Sequence, residues 1–340
     1  MKPACANALA RALFKYFQEY LPTLRGMSPH TVHSYRDAIV LFLRFAAARQ
    51  KRPVDRLDLD DLSLDTVTEF LADLEQTRHC CVATRNARLA ALHTFARFAA
   101  SQAPEHLAEL QRVLAVPFKR GPRRGPVEFL TQKEVQQLLA TPKAPSPEQE
   151  RDLTLFALML NTGGRVQEVL DLRVKDVRFE PPYQVCLHGK GGKTRLCPIW
   201  AHTAKRLQRM LAASHWPVEP DRPVFLNRVG EKLSRFGVHY LLRKRLARCA
   251  EEEQSFRGRR IHPHTLRHTT AVHLLKAGVD FATISHWLGH ASLNTTMAYA
   301  RADMDLKRQA LARIFPDAPR PPRKGHARDG VDVVAWLHRL

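Results

Sequence analysis

The stretch YQVCLHGKGGKTRLCPI, residues 183–199, decides between two folds. Its centre, GKGGKT, invites assignment as a phosphate-binding P-loop, which would place it in a parallel α/β sheet. That motif needs a glycine five residues before the run Gly192-Lys193-Thr194, and Leu187 stands there. It also needs a strand before and a helix after. The residues after Thr194 are RLCPI, a strand-like run stopped by a proline. Apolar residues alternate on both sides of HGKGGKT, the pattern of two antiparallel strands joined by a turn. The glycines let the chain reverse and let Lys190, at the tip, come close to a ligand.

The flanks of this hairpin read as helices. TQKEVQQLLA opens one at Thr131, and ERDLTLFALMLNTGGRVQEVLDL is a long apolar helix interrupted at Gly163-Gly164. Helices return at AHTAKRLQRMLAA, at SRFGVHYLLRKRLARCAEE and from Pro263 onward. Residues 128–315 are therefore expected to form a mixed, mostly helical domain with a small antiparallel sheet. Residues 316–340 begin PDAPRPPRKGHARDG, the composition of a flexible tail, and end in the short amphipathic segment VDVVAWLHRL.

Residues 1–116 read as an all-helical bundle. SPHTVHSYRDAIVLFLRFAAA has Ser28 as N-cap, Pro29 in the first turn, and a stripe of Val32, Tyr35, Ile39, Phe42 and Leu43. SLDTVTEFLADLEQ has its cap at Ser63 and buries Val67, Phe70, Leu71 and Leu74. ATRNARLAALHTFARFAA buries Leu89, Leu92, Phe95 and Phe98, with Arg85, Arg88 and His93 expected on its open face. With ALARALFKYFQEYL this makes about four helices. PFKRGPRRGPV, residues 117–127, reads as a basic linker: two Gly-Pro pairs stop any helix, and four cations, Lys119, Arg120, Arg123 and Arg124, lie within it.

The whole chain is mainly α and carries a formal net charge of +21 over 340 residues. That excess is +3 in residues 1–116, +4 in the linker and +14 beyond it. A pI near 10.3 points to a polyanionic partner, nucleic acid above all. No apolar run reaches the roughly 20 residues of a membrane helix, and MKPACANALARALFKYF lacks the apolar core of a signal peptide, so a cytoplasmic protein without membrane attachment is expected. The six cysteines (Cys5, Cys80, Cys81, Cys186, Cys197 and Cys249) show no C-x-x-C spacing and read as reduced, inert thiols.

Four short pieces carry the candidate chemistry. NTGGRVQEVLDL places Arg165 just inside a helix, with Glu168 one turn on along the same face. The hairpin presents Lys190. IHPHTLRHTTAVH sets His264 and Arg267 three apart on one face, and ISHWLGHASLNTTMAYAR places His290 before a turn with Tyr299 nine residues on. His264 and His268 are spaced to share a metal, yet no carboxylate or thiolate lies within that stretch, so a phosphate clamp is favoured and no metal or cofactor is expected. His262 and His273 read as surface or packing histidines, Glu168 as support for an arginine, and Trp287 as core.

In the order Arg…Lys…His-x-x-Arg…His…Tyr, these pieces resemble the tyrosine recombinase, or phage-type integrase, family over roughly residues 10–315. LGHASLNTTMAYAR is similar to the form common there, and SPHTVHSYRDAIVLFLRFA looks like the family's SAM-like core-binding domain. The resemblance implies that Arg165, Lys190, His264, Arg267 and His290 are catalytic and that Tyr299 is the nucleophile. It also implies site-specific strand exchange through a 3′-phosphotyrosyl link, without ATP or metal. A homo-oligomer, a tetramer on two paired sites, would do this for a phage or mobile element. Residues 1–116 and 128–315 would grip double-stranded DNA, with Arg85, Arg88, Lys119, Arg120, Arg123 and Arg124 as DNA-contact candidates. TGGR departs from the more usual TGLR or TGMR, so Gly164 is expected to forgo an apolar contact. Two other activities fit the same chemistry: DNA relaxation of the type IB topoisomerase kind, and DNA binding without catalysis.

Overall fold

The computed structural model describes residues 7–121, 127–189 and 191–290. The chain divides into two units, Met1–Arg123 and Arg124–Leu340.

The first unit is a helical bundle. Helix α1 (Ala8–Lys15) is capped by the Asn7 side chain and continues into a wider, π-type coil, Tyr16–Leu24, that accommodates Pro22. Helix α2 (Pro29–Gln50) starts at the expected Ser28 cap, whose Oγ accepts from the Thr31 amide at 3.4 Å. Helix α3 (Leu64–Gln76) starts at Ser63 in the same way. Helices α4 (Val82–Gln102) and α5 (Leu107–Leu114) complete the unit. The α5 helix was not legible in the sequence, because eight residues offer only Leu110 and Val113 as a buried stripe. Ile39, Phe42, Phe70, Leu74, Leu89, Leu92 and Phe95 form one core with Tyr16.

His93 departs from expectation. It is buried, 5.3 Å from the Phe118 ring, and not on an open face. Helix α4 packs against α2, α3 and α5, so it has no single apolar stripe and little open face.

The second unit is mainly helical around a small sheet. Helices α6 (Gln132–Leu139), α7 (Pro147–Thr162) and α8 (Val166–Leu170) precede strands β1 (Val177–Arg178), β2 (Gln184–His188) and β3 (Thr194–Pro198). Helices α9 (Ala201–Ala212), α10 (Arg235–Glu252), α11 (Pro263–Lys276) and α12 (Phe281–Leu288) come after them. Thr131 caps α6 in a reciprocal capping box with Glu134, as TQKE suggests. Residues 153–162 of α7 are buried without interruption, and α9 and α11 pack on it, so α7 is the central helix.

The hairpin forms as expected, with β1 added to give an antiparallel sheet in the order β1-β2-β3. Gly189 N–H donates to Lys193 O at 2.7 Å, and Gly191 and Gly192 adopt φ of +77° and +72°, conformations that favour glycine. Leu187, the residue that breaks the P-loop pattern, is fully buried in the core beside Val185 and Cys197.

Candidate phosphate-binding active site

The interruption at Gly163-Gly164 positions the first arginine. Gly163 ends α7 in the left-handed region at φ +58°, a conformation costly for residues with a Cβ. Its approach to Thr270 on α11 and Leu288 on α12 leaves no room for a side chain. At Gly164 an added Cβ would lie 2.8 Å from Val169 Cγ2 and 3.0 Å from Leu187 Cδ1. The space that a side chain at position 164 would need is thus already occupied by those two neighbours.

The chain then turns into α8 with Arg165 at its N-cap in extended backbone, one residue before the helix and not inside it. Arg165 N donates to Glu168 Oε2 at 2.9 Å, and its Nη1 donates to Glu168 Oε1 at 2.6 Å. Its Nη2 donates to Gly289 O at 3.2 Å. Two N–H groups of its five are so engaged, and the side chain is 40% exposed. The expected support of Arg165 by Glu168 is present in the geometry.

Arg267 is held differently. It is 1% exposed, and its Nη1 and Nη2 donate to Gly163 O and Leu288 O, each at 2.7 Å. Both carbonyls lie at helix C-termini, those of α7 and α12, where the helix dipole favours a cation. Its partner Gly163 is 104 residues away in sequence, and that of Arg165, Gly289, is 124 away.

Three histidines border these arginines. The ring centroid of His264 is 4.6 Å from that of His268, edge to face, and 6.5 Å from that of His262. His264 keeps an exposed edge, yet burial of the rest of its ring, then the Arg267 charge, lowers its pKa. Burial and the neighbouring histidines push His268 down to about 4. Burial, then the Arg267 and Arg165 charges, also push His290 down to about 4. All three are therefore neutral imidazoles near pH 7, able to accept or donate one hydrogen bond at each nitrogen. His273 instead sits against the Leu130 carbonyl at 2.9 Å, a packing role, and Trp287 is half-buried against the cluster of Ala271, Val272, Ile284 and Leu288.

Arg165, His264, Arg267 and His290 are thus brought together from three separate segments: the start of α8, helix α11 and the turn after α12. Lys190 and Tyr299 lie outside the described residues. Gly189, which precedes Lys190, borders the same place: a Cβ there would be 3.3 Å from Glu168 Oε1. Among the described residues no three His, Cys, Asp or Glu side chains are grouped so as to hold a metal ion.

Sequence reasoning missed Arg195. It lies on β3 opposite Leu187, so its side chain enters the inner face, and it is 7% exposed. Its Nη2 donates to Glu168 Oε2 at 2.7 Å and its Nε to Trp287 O at 2.9 Å. Burial alone would raise the Glu168 pKa, but hydrogen bonds from Arg195 and Arg165, with the Arg195 charge, hold it below the usual carboxylate range. The signal was present: strict alternation that buries Cys197 also turns Arg195 inward.

The DNA-contact candidates are partly committed inside the protein. Arg85 Nη1 donates to Pro117 O at 3.1 Å and to Asn86 Oδ1 at 3.0 Å. Lys119 Nζ pairs with Glu75 at 2.9 Å. The start of the linker is not an extended strap: Asn86 exchanges hydrogen bonds with both backbone groups of Lys119. Arg88 is half-buried, Arg120 is exposed, and Arg123 and Arg124 lie outside the described residues.

A helical bundle joined to a mainly helical domain with this cradle of cations and neutral imidazoles is the build of an enzyme that breaks and rejoins DNA strands. The chain belongs to the phage integrase family: the model described as "Phage integrase family" matches residues 128–305, and that of the "Phage integrase, N-terminal SAM-like domain" matches residues 14–103. It is a tyrosine-type site-specific recombinase. It is 38% identical over 337 residues, 98% of each chain, to "Putative integrase/recombinase y4rC" of Sinorhizobium fredii. It is 29% identical over 324 residues, 94% of this chain and 96% of the other, to tyrosine recombinase XerC of Roseiflexus castenholzii. Its fold is shared with XerH recombinase bound to palindromic difH substrate (22% identity, TM-score 0.63, covering 85% of this chain and 81% of that one). It is shared too with the Tn1549 transposon integrase in complex with circular intermediate DNA (17% identity, TM-score 0.63, covering 85% and 97%).

Proposed function

We propose that Arg165, Lys190, His264, Arg267, His290 and Tyr299 act on one scissile phosphodiester of double-stranded DNA. The observation that carries this is the convergence of both arginines with His264 and His290 across segments distant in sequence. Arg165 and Arg267 grip the non-bridging oxygens and offset the charge that develops in the transition state. The Tyr299 hydroxyl attacks phosphorus and gives its proton to neutral His264. The bond to the 5′-oxygen breaks, and that oxygen takes a proton from Lys190 while His290 hydrogen-bonds the phosphate. The resulting 3′-phosphotyrosyl bond conserves the phosphodiester energy, so attack by another strand's 5′-hydroxyl rejoins DNA without ATP or metal. A tetramer on two paired sites performs this exchange in the cytoplasm, integrating or excising a phage or mobile element. Residues 1–116 and 128–315 grip the duplex on either side of the 117–127 linker.

A nicked suicide duplex drawn from the DNA flanking the protein's own gene tests this. A covalent adduct at one defined sequence, lost in Tyr299→Phe while DNA binding persists, is the expected result. An adduct in the phenylalanine variant overturns the role of Tyr299, and adducts at many sequences indicate relaxation without site choice.

A further inference from the structure

We propose that Arg195 is a positioning residue for strand cleavage: it fixes Glu168 and the C-terminal turn of α12, and so sets where Arg165 and His290 meet the phosphate. This rests on the roles proposed for those two residues in catalysis.

Arg195 and Arg165 span the same two supports from opposite sides. Arg195 takes Glu168 Oε2 and Trp287 O, while Arg165 takes Glu168 Oε1 and Gly289 O. The Gly289 backbone passes directly over the Arg195 guanidinium. A Cβ at Gly289 would lie 2.9 Å from Nη1 and 3.3 Å from Cζ, and the φ of +64° there also favours glycine. The next residue is His290. One buried arginine thereby ties the hairpin strand to the carboxylate behind Arg165 and to the turn that presents His290.

At 7% exposure Arg195 is screened from a duplex, whereas Arg165 at 40% is open to one. The division of Glu168 is the key to the role. Each of its oxygens has a different guanidinium, so the Arg165 fork meets the carboxylate through one nitrogen only. Remove Arg195, and Oε2 keeps only the Arg165 backbone amide, so the Glu168 carboxylate is free to rotate and to shift the Arg165 nitrogen it holds. A lysine at 195 supplies charge but a single donor point, which cannot serve both Glu168 and the Trp287 carbonyl.

Full-length Arg195→Met and Arg195→Lys test this, with wild type as the control for the catalytic assignment itself. Single-turnover cleavage is measured on a duplex with the natural 5′-oxygen leaving group and on one with a 5′-bridging sulfur, which leaves without needing a proton. DNA affinity is expected to stay within about threefold and cleavage to fall about 100-fold, the penalty of a misplacement on the order of 1 Å, equally for oxygen and sulfur. In Arg195→Met, the acid limb of the rate–pH profile should also move to higher pH, because removing a neighbouring cation makes His290 easier to protonate. Wild-type rates in both variants overturn the proposal, as does a rate loss that merely tracks the unfolded fraction. Full rescue by the sulfur leaving group also overturns it, by assigning Arg195 to the proton donor instead. Failure of wild type itself to form an adduct marks a failure of the site assignment.

Discussion

Leu288 and Gly163 touch so closely that the Leu288 Cδ2 methyl fills the space any side chain at position 163 would need. The contact joins the end of α12 to the end of α7, and the carbonyls of these same two residues hold Arg267. Gly163→Ala must therefore absorb a left-handed backbone and an overlap together, about 3 kcal/mol by the usual scale of each. Denaturant unfolding of the full chain reads this directly; a loss below about 1 kcal/mol contradicts it.

The two arginines should respond differently to lysine. Arg267→Lys strands at least one buried carbonyl, so it should cost about 1–3 kcal/mol of stability and lower cleavage by about 10²–10³-fold. Arg165→Lys keeps a charge beside Glu168 at a half-open position. Its stability should stay within about 1 kcal/mol of wild type while cleavage still falls about 10²-fold. Unfolding and single-turnover rates on the same preparations separate the two patterns.

Acid should weaken the fold. His268 and His290 titrate at about 4 in the folded chain, against an ordinary 6.5. Between those values the unfolded chain binds more protons than the folded one, so stability falls as pH drops through the window. Below about pH 4 both states are protonated and no more is lost from these groups. Tm is expected to fall between about pH 6.5 and 4.5, less so in His268→Gln; a Tm that stays level across that range would be inconsistent with buried neutral histidines.

Much of the fold was legible in the sequence, because the signals were local. The Ser28, Ser63 and Thr131 caps each satisfy a backbone amide with their own side chain, so they could be read from a window of four residues. The hairpin could be read from alternation and from glycines placed where positive φ is needed. What escaped depended on partners remote in sequence. His93 is buried because three helices surround α4. The inward turn of Arg195 is readable from period two, but its meaning lies in Glu168 and Trp287, 27 and 92 residues away. Lys119 reads as a free cation until folding brings Glu75 beside it.

Cleavage should persist in excess EDTA. The proposed chemistry uses guanidinium groups where other nucleases use divalent ions. Adduct formation on a suicide duplex with and without chelator is the measurement. Loss of activity restored by zinc or magnesium would return the His264–His268 pair to consideration as ligands.

Linker cations should show in the salt dependence of DNA binding. Each phosphate contact removed should reduce the slope of log K against log salt by about 0.9. Arg120→Ala, Arg123→Ala and Arg124→Ala are expected to approach that value. Lys119→Ala should change the slope less, because Lys119 is already paired with Glu75. Titrations between about 50 and 200 mM salt resolve the difference.

The grip on Arg165 and Arg267 is closed by residues 288 and 289, more than a hundred positions after Gly163 and Arg165. A nascent polypeptide still emerging from the ribosome at residue 270 carries both guanidinium groups but lacks the carbonyls of Leu288 and Gly289 that anchor them. Such a fragment has the charges but not the frame that aligns them, so the paired grip completes only once residues 288 and 289 have joined the fold.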